Sequence, residues 1–134
     1  MARLLTGKFA VVTDGAKHTA FGCDVAQSAE VKSLVDFALK TYNSPPAIVV
    51  NNAGIIRDAP ILDMTEEQFD EVVAVNLKGV YLVAQAFARA AIQQKTPQSI
   101  INMASILGKV GASERANYAS TKVNECISSL RPSS

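Results

Sequence analysis

Ala47-Ile48-Val49-Val50-Asn51-Asn52-Ala53-Gly54 is the segment on which the fold turns. Ala47–Val50 is continuously apolar and mostly β-branched, the pattern of a strand buried on both faces in a parallel sheet. The small residues that follow form a strand-end turn or let the backbone approach a ligand.

Downstream, Gln98–Met103 repeats the arrangement around Ile100-Ile101 and leads directly to Ser105. Upstream, Ser28 is a plausible N-cap, and Val31, Leu34, Val35, Ala38 and Tyr42 fall at helical spacing. That helix should stop before Pro45-Pro46. Asn51–Met64 reads as loop. Thr65-x-x-Gln68 is a capping-box pattern that opens a long helix reaching about Gln94. Its apolar stripe is Phe69, Val73, Asn76, Val80, Val83 and Phe87. Lys8–Thr13 and Thr19–Cys23 read as strands separated by an Asp14-Gly15 turn signal. A last helix begins near Arg115 and fades at Arg131-Pro132. This order predicts an α/β open sheet, in one partial domain over residues 1–134.

Composition narrows the classes. The chain has 134 residues, 49% hydrophobic, with a formal net charge of +1. It shows no basic stripe of the kind that binds nucleic acid. No apolar run approaches the roughly 18 residues of a membrane span. Cys23 and Cys126 stand in unrelated contexts and read as reduced thiols of an intracellular protein. His18 is the single histidine, so no metal site is expected. No secretory signal peptide is evident.

Asn76 is a polar residue on an apolar stripe. A buried amide costs about 1–3 kcal/mol unless it is bonded. It is either a satisfied core amide or a group that holds a helix kink and a water near a site. Tyr118-x-x-x-Lys122 places two side chains on one helical face. A tyrosine hydroxyl titrates near 10 in water, and a neighbouring ammonium lowers that value, making a tunable acid/base for carbonyl or alcohol chemistry. Alone, the spacing is a weak motif and reads as a surface pair. Ser105 follows a buried strand at its carboxyl end, where open α/β sheets bind ligands, and its hydroxyl could stabilise charge on a substrate carbonyl.

Four motifs resemble the short-chain dehydrogenase/reductase family in order and spacing. They are Asn51-Asn52-Ala53-Gly54, Val75-Asn76-Leu77-Lys78-Gly79, Ile100-Ile101-Asn102-Met103-Ala104-Ser105, and Asn117-Tyr118-Ala119-Ser120-Thr121-Lys122. Ser44-Pro45-Pro46 and Ser105–Gly111 resemble the branch of mitochondrial 17β-hydroxysteroid dehydrogenases and 3-oxoacyl acyl-carrier-protein reductases. The resemblance implies an incomplete Rossmann-type doubly wound parallel sheet and an NAD- or NADP-dependent oxidoreductase of fatty-acid or steroid metabolism. It implies Tyr118 as proton donor and acceptor, Lys122 lowering its pKa and holding the nicotinamide ribose, Ser105 positioning the carbonyl, and Asn76 anchoring a relay water. Asp24 and Val25 would contact adenine, and Asn51, Ala53 and Gly54 would line the cofactor. The substrate would be an acyl thioester or a steroid, the assembly a homo- or hetero-oligomer, and the location the mitochondrial matrix, otherwise the cytoplasm.

The chain departs from that pattern in two places. Where the family has a Thr-Gly-x-x-x-Gly-x-Gly turn, a helix, a strand and another helix, Val12-Thr13-Asp14-Gly15 runs almost directly into His18-Thr19-Ala20-Phe21. Gly15 and Gly22 do not replace the pyrophosphate cradle. The strands matching Lys8–Thr13 and Thr19–Cys23 would be parallel with one strand between them, about 10 Å apart. Returning along a strand makes the path about 19 Å, and five intervening residues reach at most about 20 Å. The first segment is therefore expected to be displaced or to form an antiparallel hairpin with Thr19–Cys23. After Lys122 the text changes to Val123-Asn124-Glu125-Cys126, which reads as an alternatively spliced or wrongly assembled transcript. Low or no activity follows as the expectation for this chain, with pairing to a full-length family subunit as the alternative.

Overall fold

The structure is a computed structural model and describes residues 10–14, 17–123 and 127–130. It contains a two-stranded and a three-stranded sheet.

Strands β1 (Ala10–Asp14) and β2 (Lys17–Phe21) pair antiparallel, from Ala10 opposite Phe21 to Asp14 opposite Lys17. This is the second of the two outcomes expected of the short connection, a displaced first segment or an antiparallel hairpin. Its strands lie slightly off the expected spans: β1 runs on to Asp14, and β2 ends before Cys23. Lys8, Phe9 and the Gly15 turn position lie outside the described residues. The hairpin rests on helix α1 (Ser28–Tyr42), where the Phe21 and Phe37 rings stand 4.7 Å apart and the Thr19 and Tyr42 hydroxyls 2.7 Å apart.

Helix α1 buries Val31, Leu34, Val35 and Ala38, as their spacing predicts. Its N-cap is Gln27 rather than Ser28, and that side chain makes no capping bond. It closes at Asn43 in the left-handed region (φ 56°), whose N–H donates to the Leu39 carbonyl. Pro45-Pro46 then bars a further turn.

Strand β3 (Ile48–Asn51) pairs parallel with β4 (Gln98–Asn102), with Val49 opposite Ile100. The α/β class is thus as expected, but two features differ. First, β3 is buried on one face only. Val49 and Asn51 point into the core, while Ile48 and Val50 are 61% and 53% exposed. An apolar run shows that a strand tolerates burial, not that a helix is present on both sides. Second, the last helix ends early. Helix α5 covers only Ala116–Thr121, and β5 (Ile127–Leu130) pairs antiparallel with β4. Lys122 has already left helical geometry (φ −109°, ψ 11°), and the unpaired edge of β4 offers the following residues a complete ladder.

Thr65 and Gln68 form the reciprocal capping box. Helix α2 (Glu66–Val73) continues through a π-helical segment (Ala74–Gly79) into α3 (Val80–Gln93). Phe69 is exposed and Val73 half-buried; Val72 takes the core position instead. Asn76, Val83 and Phe87 lie on the buried side as predicted. By length and composition alone this continuous helix is long and apolar enough to cross a membrane, although Lys78 and Arg89 interrupt its apolar run as the sequence indicates. Core helices of α/β proteins meet the same criterion, and α3 here packs against α1, β3 and β4.

Candidate active site

The carboxyl ends of β3 and β4 are tied together. The Asn51 side-chain amide donates to Asn102 Oδ1 at 2.9 Å, and the Met103 N–H donates to the Asn51 carbonyl at 3.1 Å. Beyond them the chain turns through Ala53-Gly54 on one side and Ser105 on the other.

The π segment places Asn76 beneath the first of these turns. Its Oδ1 accepts the Ile55 N–H at 2.8 Å, and its Nδ2 donates to the Ile55 carbonyl at 3.0 Å and to Thr121 Oγ1 at 3.4 Å. The amide is satisfied by protein, which answers the first of the two sequence readings. It also sits in the distorted turn that the second reading supposed. A Cβ on Gly54 would lie 3.5 Å from Asn76 Oδ1 and 3.9 Å from Lys122 Nζ, so three motifs meet at one point.

Lys122 is only 8% exposed. Its Nζ donates to the Met103 carbonyl at 2.7 Å and lies 5.8 Å from the centre of the Tyr118 ring. Burial holds its pKa below the ordinary lysine value, because the charged form loses solvation. Lys122 is the C-cap of α5 rather than a residue within a long helix, yet the Tyr118–Lys122 proximity survives. Ser105 is half-buried on the link to helix α4 (Leu107–Val110), where its Oγ accepts the Leu107 N–H at 3.3 Å. This leaves its O–H as a donor. Helix α4 is pressed against the end of α5, since a Cβ on Gly108 would fall 2.0 Å from the Lys122 carbonyl oxygen.

Among the proposed cofactor residues, Val25 and Asn51 are buried, Asp24 and Ala53 half-buried and Gly54 exposed. Asp24 Oδ1 accepts the Ala26 N–H at 3.1 Å, and the Asp24 N–H donates to Glu30 at 2.7 Å. Val25 is buried against Gly79. With Asn51, Ala53, Val75 and Val80 they enclose a cleft of about 10 Å³, room for about one water. A dinucleotide pyrophosphate is ordinarily met by a helix N-terminus directly after the first strand. Here β1 turns back into β2 and no helix follows it. Among the described residues, the chain after β1 therefore offers no helix N-terminus of that kind.

Asn117, Thr121 and Gly108 fall within the quoted motifs, but the sequence assigns them no role. Asn117 is fully buried and bonds Arg57, Gln68 and Tyr118. Arg115 pairs with Asp58 through two 3.0 Å contacts, which raise the Arg115 pKa, and the Ala59 N–H donates to the Glu114 carbonyl. These bonds latch the loop after β3 to the start of α5. An amide next to the motif tyrosine was the one available signal.

A parallel strand pair whose carboxyl ends carry a buried Asn, a Tyr–Lys pair and a Ser defines an α/β protein of the dehydrogenase class. The short chain dehydrogenase family matches residues 6–129, and the chain belongs to it. It is 44% identical to a (3R)-3-hydroxyacyl-CoA dehydrogenase of Canis lupus familiaris over 83% of its own length and 43% of that protein's. It is 36% identical to the 3-oxoacyl-(acyl-carrier-protein) reductase FabG of Staphylococcus aureus, over 81% of this chain and 43% of that one. The chain therefore spans less than half the length of these relatives. Among solved structures, NAD+-bound xylitol dehydrogenase superposes with a TM-score of 0.71 at 30% identity, covering 77% of this chain and 39% of that one. The Rossmann-type architecture is shared over that part.

Proposed function

We propose that the chain carries the substrate-activating half of an NAD(P)-dependent oxidoreductase site and has low or no turnover by itself. The reading rests on the convergence of Asn76, Gly54, Tyr118 and Lys122 at the carboxyl ends of β3 and β4. In it, Tyr118 passes a proton to or from a carbonyl or alcohol oxygen, Lys122 supplies the neighbouring cation, and the Ser105 O–H holds the same oxygen. Asn76 fixes the loop and supports a relay water. Asp24, Val25, Asn51, Ala53 and Gly54 are the residues left to face NAD or NADP. The substrate class is a small carbonyl or alcohol, an acyl thioester ahead of a steroid given the relatives' names. The mitochondrial matrix is the proposed location, otherwise the cytoplasm.

Impairment is supported by the β1–β2 hairpin, which stands where a helix N-terminus would meet the pyrophosphate. Calorimetry with NADH and NADPH on the purified chain tests it. Affinity no better than millimolar is expected for both. Micromolar binding, with turnover of a 3-oxoacyl thioester, would show a complete enzyme and overturn the impaired reading. The second reading, a non-catalytic chain that pairs with a full-length family subunit, is favoured by the uncovered Ile48 and Val50. Co-purification with such a subunit, lost on mutating that face, would support it.

A further inference from the structure

Two buried amides from different elements grip the same short piece of loop. Asn76 takes both the N–H and the C=O of Ile55. Two residues on, the Asn117 amide donates to the Arg57 carbonyl at 2.9 Å. Its second N–H goes to the Gln68 carbonyl in the first turn of α2 at 3.2 Å, and its Oδ1 accepts the Tyr118 N–H at 2.7 Å. Asn117 is 0% exposed, and both side-chain atoms able to bond are used. The circuit is closed by Thr121, whose Oγ1 donates to the Tyr118 carbonyl at 2.8 Å and accepts from Asn76 at 3.4 Å. Both backbone polar groups of Tyr118 are thereby fixed by neighbouring side chains within a short helix. The far ends of those bonds lie on the loop, on α2 and on the π segment.

We infer that Asn117 is a positioning residue, which sets Tyr118 in register with the Ala53-Gly54 turn and with Lys122. The inference rests on the reading of Tyr118 as the proton-transferring group. Short helices fray, and α5 has no side-chain cap at Arg115. Without the Asn117 bonds, the loop would be tied to the start of α5 by the single Ala59–Glu114 backbone bond and by the Arg115–Asp58 pair, which is substantially solvent-exposed and correspondingly weak. A buried, fully bonded amide holds geometry better, because each of its lost partners would be left unpaired.

The test uses the full chain with 3-fluorotyrosine in place of Tyr42, Tyr81 and Tyr118, each fluorine resonance being assigned by a Tyr→Phe variant. In Asn117→Ala, the Tyr118 resonance is expected to shift and broaden while those of Tyr42 and Tyr81 hold. Asn117→Ser keeps one polar group and serves where the alanine variant fails to fold. A Tyr118 resonance that stays put, or three resonances that move together, overturns the inference, the second outcome marking a merely structural residue. Turnover of NADH with a 3-oxoacyl thioester is measured alongside. Where the parent chain is active, Asn117→Ser should lower kcat about tenfold or more with KM within about twofold; equal changes in both would count against positioning. A parent with neither binding nor turnover is the outcome the impaired reading expects, and the fluorine result then decides the role of Asn117.

Discussion

Cys23 shows how much a single buried group can report. It lies in the loop after β2, 1% exposed. Its thiol is pushed up from 9.0 to about 11, by burial first and then by the carboxylates of Glu30 and Asp24. Unfolding returns it to its ordinary value, so between those limits the folded chain keeps a proton that the unfolded chain releases. The associated stabilisation is complete below pH 9.0 and is lost as pH rises through about 11. Urea unfolding of the parent and of Cys23→Ala, repeated across that range, should show the parent's advantage shrinking as pH rises. Lys122 acts in the opposite sense, because burial lowers its pKa, but it is common to both chains and cancels in the difference. A pH-independent difference would contradict the argument. At this scale the sequence is partly transparent. The polar Asn76 on an apolar stripe is visible in one dimension, and so is the Tyr118–Lys122 spacing. The identity of Asn76's partner, the Ile55 backbone, is not, because that contact spans a loop whose path depends on the whole fold.

Elements specified by local signals are those the sequence defines well. The capping box fixes the start of α2, and helical spacing and the two prolines bound α1. Where an element depends on what lies beside it, the sequence is silent. Strand β3 is apolar enough for burial on both faces but is covered on one. The segment after Lys122 forms a strand because β4 has a free edge, not because its residues exclude a helix. Gly108 exposes the same dependence between α4 and α5. An added Cβ would meet the Lys122 carbonyl oxygen at 2.0 Å, the Lys122 carbonyl carbon at 2.3 Å and the Val123 nitrogen at 2.8 Å, all backbone atoms that cannot swing aside. Gly108→Ala should therefore cost about 1–3 kcal/mol, the range for overpacking, and drive α4 away from the Tyr118–Lys122 pair. A urea midpoint equal to the parent's would mean that the two short helices are not held together as described. Gly111→Ala is the useful companion, since it has no atom within 4 Å of its added Cβ but holds φ 71°. Its cost would come from backbone strain alone.

For the whole molecule, the hairpin is the decisive departure. Antiparallel pairing of β1 with β2 takes both strands out of the three-stranded sheet. Among the described residues, β3 is then an edge strand, and its outer face carries Ile48 at 61% and Val50 at 53% exposure. Parallel sheets are ordinarily covered on both faces, so this arrangement leaves apolar surface and an unpaired ladder side by side. From Ser44 to Ile56 the sequence carries no charge that would keep another strand away. Self-association through this region is the expected consequence, and Val50→Lys tests it directly. A lysine there places its stem along the sheet and its ammonium in water, so the folded chain should change in stability by no more than about 0.5 kcal/mol. Sedimentation velocity of the parent should show the mean coefficient rising with concentration, whereas the lysine variant should hold a constant value at the same urea midpoint. A parent that stays monomeric while Val50→Lys unfolds more easily would mean that this face is buried within the chain, and the open-sheet account would fall. Loss of association at unchanged stability would identify the face as the contact surface. The same substitution would then separate self-association from pairing with a full-length family subunit, because only a partner that uses this face would be released by it.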